Sequence, residues 1–250
     1  MLKNKLPLCW QVCLAFVWLL SFSLKAQNLS NPISDLADPF ITYYEGNYYL
    51  TGTTGGNVAI RRSPTLDGLK RAPLTEIFAR DPNNRNHPCC NYWAPEIHRI
   101  NGRWYAYFTA GTNGNLDSQR NFVLEGGTGD PFSAPWRFIA QIKDSEDWAI
   151  DGTVLQLNGA NYFVWSSGDF GQSIVIARMS NPWTITGRRV IISQPNVPQT
   201  TGWENDRPLN EGPSVLQHNG RTFIAFSGSG CETPNYALGL LTLNNPNDPL

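Results

Sequence analysis

The sequence predicts an all-β protein of the propeller type, on three observations. A strand, tight turn, strand unit recurs four times in the 250 residues: DPFITYYEGNYYLTGT from Asp38, APEIHRINGRWYAYFTAG from Ala94, DGTVLQLNGANYFVWSSG from Asp151 and EGPSVLQHNGRTFIAFSGSG from Glu211. The turn glycines of these units, Gly46, Gly102, Gly159 and Gly220, are 56, 57 and 61 residues apart. A fixed period longer than about forty residues, built of short strands, is the signature of radially arranged blades. Long amphipathic helical periodicity is absent, so neither a helical layer nor alternating strand–helix units are expected.

Taken from the N-terminus, the first 26 residues stand apart from the fold. Lys3 and Lys5 precede an apolar run from Leu6 to Leu24, and Lys25-Ala26 offers a cleavage point. This reads as a secretory signal peptide, because Pro7, Gln11 and two cysteines make the run a poor membrane span. The expected organisation is therefore a signal peptide over 1–26 and one β-propeller domain over 27–250, exported or periplasmic. Loss of the signal removes three of the nineteen Lys and Arg and none of the twenty Asp and Glu, taking the formal charge from −1 to −4. Such a chain has no electrostatic footprint for nucleic acid or an acidic membrane surface. Its aromatic fraction is 12% against only 16% charged residues, which suits a neutral polyol whose C–H faces stack on rings.

Within the domain, Asn101-Gly102, Asn158-Gly159 and Asn219-Gly220 match the two-residue hairpin signal, since both residues tolerate positive φ. Outer strands of the blades are expected at Val58–Arg62, Arg71–Phe78, Phe122–Glu125, Trp136–Gln141, Ile174–Met179 and Arg189–Ser193, each bounded by turn formers. Residues 38–250 supply about four blades, and Asn247-Asp248-Pro249-Leu250 reads as the middle of a loop. The expectation is a propeller whose C-terminal blade is missing from this chain. Outside the signal lie Cys89, Cys90 and Cys231. A bond from Cys89 or Cys90 to Cys231 would tie the second repeat to the fourth; a bond between the adjacent pair is the alternative. No zinc-ligand spacing is present.

The chemistry points to carboxylates. Asp38 and Asp151 each lie eight residues before their turn glycine and Glu211 lies nine before, while the second repeat has Ala94 at that position. One Asp before Pro or Gly is ordinarily a turn or strand cap. Three acids at one repeat position converge on the centre of a propeller, and their apolar surroundings would partly bury them and shift their protonation. Inverting hydrolysis of a glycosidic bond needs one carboxylate to activate water and one carboxylic acid to protonate the leaving oxygen, roughly 6.5–9.5 Å apart. Trp93, Phe40, Trp148 and Glu96 are the candidate sugar-binding residues, against the plainer reading of blade packing or structural hydrogen bonding. His98 reads as a packing residue on a strand. A nucleophile-elbow serine, a phosphate-binding loop and a metal site have no support in the sequence.

Ala37-Asp38-Pro39-Phe40, Trp93-Ala94-Pro95-Glu96-Ile97-His98, Ala149-Ile150-Asp151-Gly152-Thr153 and Asn210-Glu211-Gly212-Pro213 resemble the successive signatures of glycoside hydrolase family 43, in order and spacing. Ser180-Asn181-Pro182-Trp183, and Gly230-Cys231 followed by Tyr236-Ala237-Leu238-Gly239, resemble its exo-acting α-L-arabinofuranosidase branch. The resemblance implies a five-bladed β-propeller that inverts anomeric configuration. It makes Asp38 the general base, Glu211 the general acid, and Asp151 the residue that orients the acid and raises its pKa, with Trp93 near the substrate. It implies no cofactor for the chemistry. A structural calcium in the central channel would take ligands from outside this chain, from a fifth blade that also brings a histidine. The expected partner is a plant cell-wall polysaccharide or oligosaccharide, bound by a monomer. A β-xylosidase or endo-arabinanase of the same fold, or a non-catalytic sugar-binding propeller, are the alternatives. Loops at 54–57, 112–119 and 170–172 would decide between pocket and groove.

Overall fold

A computed structural model describes residues 29–133, 135–143, 148–168, 171–195, 203–204 and 206–250. The expected signal peptide lies outside the described residues. One compact unit runs from Asn31 to Leu250, and among its described residues no helix is long and apolar enough to cross a membrane.

The chain folds as four antiparallel sheets taken in sequence order. The first contains β1 (Ala37–Tyr44), β2 (Asn47–Thr53), β3 (Asn57–Ser63) and β4 (Thr75–Ala79), with a one-turn helix α1 (Leu66–Leu69) between the last two. The second contains β5 (Cys90–Ile100), β6 (Arg103–Gly111), β7 (Gln119–Glu125) and β8 (Arg137–Gln141). The third contains β9 (Ala149–Leu157), β10 (Ala160–Ser167), β11 (Ser173–Asn181) and β12 (Thr184–Ser193). The fourth has three strands among the described residues, β13 (Asn210–His218), β14 (Arg221–Gly228) and β15 (Ala237–Thr242). Each sheet is a meander that starts on its inner strand; β1, β5, β9 and β13 lie beside one another in that order. This is a four-bladed propeller architecture, as the repeat requires.

The hairpins between the first two strands of each sheet close where the sequence places them. Asn101, Asn158 and Asn219 take φ of 49°, 50° and 49°, followed by glycines at 80°, 76° and 73°. In the first repeat Glu45 stands in for asparagine at φ 45° before Gly46.

In the second and third blades both faces of the middle strands are buried, because each of these blades is sandwiched between two others. On β6, Trp104, Ala106, Phe108 and Ala110 pack with Tyr49, Val58 and Ile60 of the first blade. The alternate residues Tyr105 and Tyr107 pack with Phe163, Trp165 and Val175 of the third. Tyr162, Val164, Ile174 and Ile176 then meet Ile224 and Phe226 of the fourth. The two-residue period of a strand thus serves two cores at once. Each large side chain removed from water in this way contributes on the order of 1.5–3 kcal/mol.

Two sequence expectations need correction. The strand expected from Arg71 begins at Thr75. The Arg71 and Ala72 amides close the α1 turn by donating to the Gly68 carbonyl, and Pro73 has no amide to give a ladder. The strand expected from Arg189 begins at Thr184. Gly187, at φ 81°, sits where the β11–β12 register shifts, so the strand continues through a bulge. Of the disulfide pairings that the sequence leaves open, the adjacent one is made: Cys89 bonds to Cys90, and Cys231 is free and exposed. The cross-tie between the second and fourth repeats is not made.

Candidate active site

Each inner strand has a β-bulge at the same register point. Ala37, Trp93, Ile150 and Glu211 pair with Thr53, Thr109, Ser166 and Ser227, and the pairing then skips before resuming at Phe40, Glu96, Thr153 and Ser214. The residue that opens the skip is left-handed in all four blades: Asp38 (φ 49°), Ala94 (42°), Asp151 (57°) and Gly212 (59°). A left-handed residue that is not glycine costs about 1–2 kcal/mol, and bulges that re-aim a side chain gather at functional sites. Here they turn two aspartates into the centre.

Glu211 does not share that position. It stands one residue earlier, level with Ala37, Trp93 and Ile150. Its longer side chain therefore enters the centre from a different point of the bulge.

The structure brings the three acids together. Asp38, Asp151 and Glu211 line one hollow of about 690 Å³, along with Phe40, Trp93 and Glu96. That is the size of an ordinary small-ligand site. Glu211, Trp93, Ile150 and Cys231 also line an adjoining hollow of about 910 Å³, bounded further by Trp148, Gln172 and Arg207. Trp148 borders the second hollow only. Its indole nitrogen donates to the Leu116 carbonyl at 2.9 Å, which fixes the ring. Phe40 rests against the His98 ring, centroids 5.1 Å apart, and His98 in turn pairs with Glu96 at 2.8 Å. His98 is thus a satisfied packing residue, and Glu96 both lines the hollow and holds that histidine.

Side-chain hydroxyls hold the bulges in place. The Thr53 hydroxyl donates to Asp38 Oδ2 at 2.5 Å and accepts the Ala94 amide of the next blade at 2.8 Å. The Thr109 hydroxyl accepts the Asp151 amide at 2.8 Å. Asn121 Oδ1 accepts the Gly152 amide at 3.2 Å. The Ser166 hydroxyl donates to the Asn210 carbonyl at 2.7 Å. Asp151 Oδ2 accepts the Gly212 amide at 3.0 Å, so the carboxyl of the third blade is tied to the backbone beside Glu211.

The electrostatics differ among the three acids. Burial, reinforced by the charges of Glu211 and Asp38, pushes the Asp151 carboxyl up to about 8, against the opposing Gly212 amide. Burial also raises Glu211, and Asp38 adds to the effect; the Gln172 amide, which donates to Glu211 Oε2 at 3.0 Å, pulls the other way. Asp38 is solvent-exposed at the mouth of the hollow, so the expectation that all three acids are partly buried holds for Asp151 and Glu211 only. Burial thus favours the protonated form of Asp151 and Glu211, while Asp38 is open to water.

Sequence reasoning passed over several residues here. Gln172 and the Gly212 amide have no motif of their own. Tyr236 and Cys231 line the acid hollow. The hydroxyls did leave a signal: Thr53, Thr109, Ser166 and Ser227 each lie seven residues after the turn glycine of their repeat. Among the described residues no group of three or more His, Cys, Asp or Glu is arranged to hold a metal ion. The buried acids are engaged with amides instead, so the residues present do not form a calcium donor set.

A model of the glycosyl hydrolases family 43 matches residues 29–250. An extracellular exo-α-(1→5)-L-arabinofuranosidase of Streptomyces avermitilis is 37% identical over 231 residues, covering 88% of this chain and 47% of that protein. An α-L-arabinofuranosidase 43 of Humicola insolens is 39% identical over 216 residues, covering 82% of this chain and 43% of that protein. The chain thus spans under half the length of these two relatives. Among solved structures, an α-L-arabinofuranosidase of Lactobacillus brevis superposes with a TM-score of 0.77 at 33% identity, covering 85% of this chain and 69% of that one.

Proposed function

This chain belongs to glycosyl hydrolases family 43, and from that premise we propose that it is a secreted, inverting α-L-arabinofuranosidase that releases L-arabinofuranose from arabinan or arabinoxylan side chains. The observation that supports this most directly is the meeting of Asp38, Asp151 and Glu211, from three different blades, in one sugar-sized hollow. The arabinofuranosidase activity named for the Streptomyces, Humicola and Lactobacillus proteins supports the choice of sugar.

In this reading Asp38 takes a proton from a water whose oxygen attacks the anomeric carbon. Glu211 gives its proton to the glycosidic oxygen on the other side as the carbon–oxygen bond breaks. The solvent-exposed position of Asp38 suits contact with water, and the burial of Glu211 suits a proton donor. Asp151 orients the Gly212 amide next to the acid, and its proximity keeps a proton in the pair. The chemistry needs no cofactor. Trp93, which lines both hollows beside Glu211, is placed to stack on the sugar or on its leaving group.

Two further parts belong to the same proposal. Residues 1–26 act as the signal peptide, so the exported protein should begin near Gln27 by N-terminal sequencing. The working ring has five blades, a reading supported by the uncovered outer face of β15, where Leu238 is 78% and Leu240 60% exposed.

The decisive experiment combines variants with stereochemistry. Asp38→Asn and Glu211→Gln are each expected to lower kcat on arabinan oligosaccharides by about 10²–10⁴, and NMR of the wild-type reaction should show the β-anomer first. Net retention, or turnover left intact by either substitution, would reject the assignment.

A further inference from the structure

We propose that Gln172 is a positioning residue that fixes which oxygen of the Glu211 carboxyl bears the proton used on the leaving group. The inference rests on Glu211 being the general acid. Gln172 lies in the turn between β10 and β11, and it is held from two directions. Its carbonyl accepts the Asn210 amide at 2.8 Å, which ties the turn to the residue before Glu211. Its Nε2 donates to Glu211 Oε2 at 3.0 Å. One side-chain amide therefore reads the carboxyl while the backbone of the same residue sets its distance.

The turn has an unusual backbone for this purpose. Gly171 at φ 79° is followed by Gln172 at φ 62°, so a long polar side chain occupies a conformation that glycine would adopt freely. Strain of this kind persists where the side chain is needed. The orientation of the amide follows from charge: with Glu211 ionised, only the Nε2 face of Gln172 is attracted to it.

An N–H donor on Oε2 favours that oxygen as the carbonyl of a protonated carboxyl. The hydroxyl then resides on Oε1, the oxygen left free for the substrate. The other charged or titratable groups acting on Glu211 are Asp38, Asp151, Arg207 and Glu232, with Cys231 and Tyr236 on the lining. None of the hydrogen bonds assigned to these groups reaches the Glu211 carboxyl, so Gln172 is its directional partner among the described residues.

The test is Gln172→Gly in the full chain, a substitution that relieves the backbone strain while removing the amide. Hydrogen bonding to a carboxylate favours its ionised form, so the variant should move the alkaline limb of the kcat/KM profile to higher pH. Its kcat should fall roughly tenfold or more on arabinan oligosaccharides, whose leaving group needs the acid. It should fall no more than about twofold to threefold on an activated nitrophenyl arabinofuranoside, which needs it little. A carbon NMR titration of the Glu211 carboxyl gives the same readout without turnover, and should show it titrating higher in the variant. An unchanged titration, or equal losses on both substrates with an unmoved alkaline limb, would overturn the role of Gln172. Glu211→Gln losing nothing on the oligosaccharides would instead overturn the assignment of the acid.

Discussion

At the scale of single residues, the protonation of Asp151 has consequences for both activity and stability. An unfolded Asp titrates near ~3.9, whereas burial and the neighbouring charges of Glu211 and Asp38 lift the folded carboxyl to about 8. A folded value above the unfolded one gives stability that is complete below the unfolded value and is lost as the pH rises through the folded one. Asp151→Asn removes that loss. It should raise the denaturation midpoint at pH 8, by an amount worth at least about 1 kcal/mol, and leave it nearly unchanged at pH 4. The same variant should cost about 10²–10³ in kcat, because an amide would replace the carboxyl that holds the Gly212 backbone beside Glu211. A variant more stable and less active is the expected signature of an acid kept buried for function. Glu96 illustrates the other outcome. It lines the hollow, yet its carboxylate is engaged by His98 at 2.8 Å, and nothing in the spacing of the repeats anticipated that pair.

At the scale of elements, the bulge and the hydroxyl seven residues past the turn glycine form one device. Thr109 is fully buried, and its hydroxyl is the acceptor for the Asp151 amide. Thr109→Val keeps the shape and leaves that amide without its partner, at a cost of about 1–3 kcal/mol. Chemical denaturation should show this, together with reduced turnover, because the bulge that aims Asp151 would relax. The turns offer a change of opposite sign. Glu45 occupies the left-handed position that asparagine fills in the other three repeats. Glu45→Asn should therefore stabilise the first hairpin by about 0.5–1 kcal/mol and raise Tm by roughly 1–4 °C, with activity unaltered. The three asparagine turns were legible directly, since the Asn-Gly pair states its own backbone geometry. The aspartate bulges were legible only as a coincidence of acids at one repeat position. The one-residue offset of Glu211 became visible only in the strand pairing.

At the scale of the whole molecule, the blades are stabilised by their neighbours. The second and third sheets have both faces buried, while the fourth shows Leu238, Leu240 and Leu216 to solvent at 78%, 60% and 50% exposure. Among the described residues β15 pairs with β14 alone, and an unpaired apolar edge of this kind invites association. Residues 27–250 produced alone are expected to self-associate in a concentration-dependent way by light scattering. A chain extended through a further repeat is expected to be monodisperse, to melt higher and to turn over arabinan faster. An isolated 27–250 chain that stays monomeric and fully active would refute the proposed fifth blade.

The sequence by itself determined the architecture and most of the acid set. A repeat of 56 to 61 residues, alternating apolar strands and Asn-Gly turns are local features, and each constrains the backbone without reference to the rest of the chain. Tertiary structure alone decided which side chains reach Glu211, how far each acid is removed from water, and that Cys89 bonds to Cys90 rather than to Cys231. Those outcomes depend on atoms brought together from different blades, and local periodicity does not encode such long-range distances.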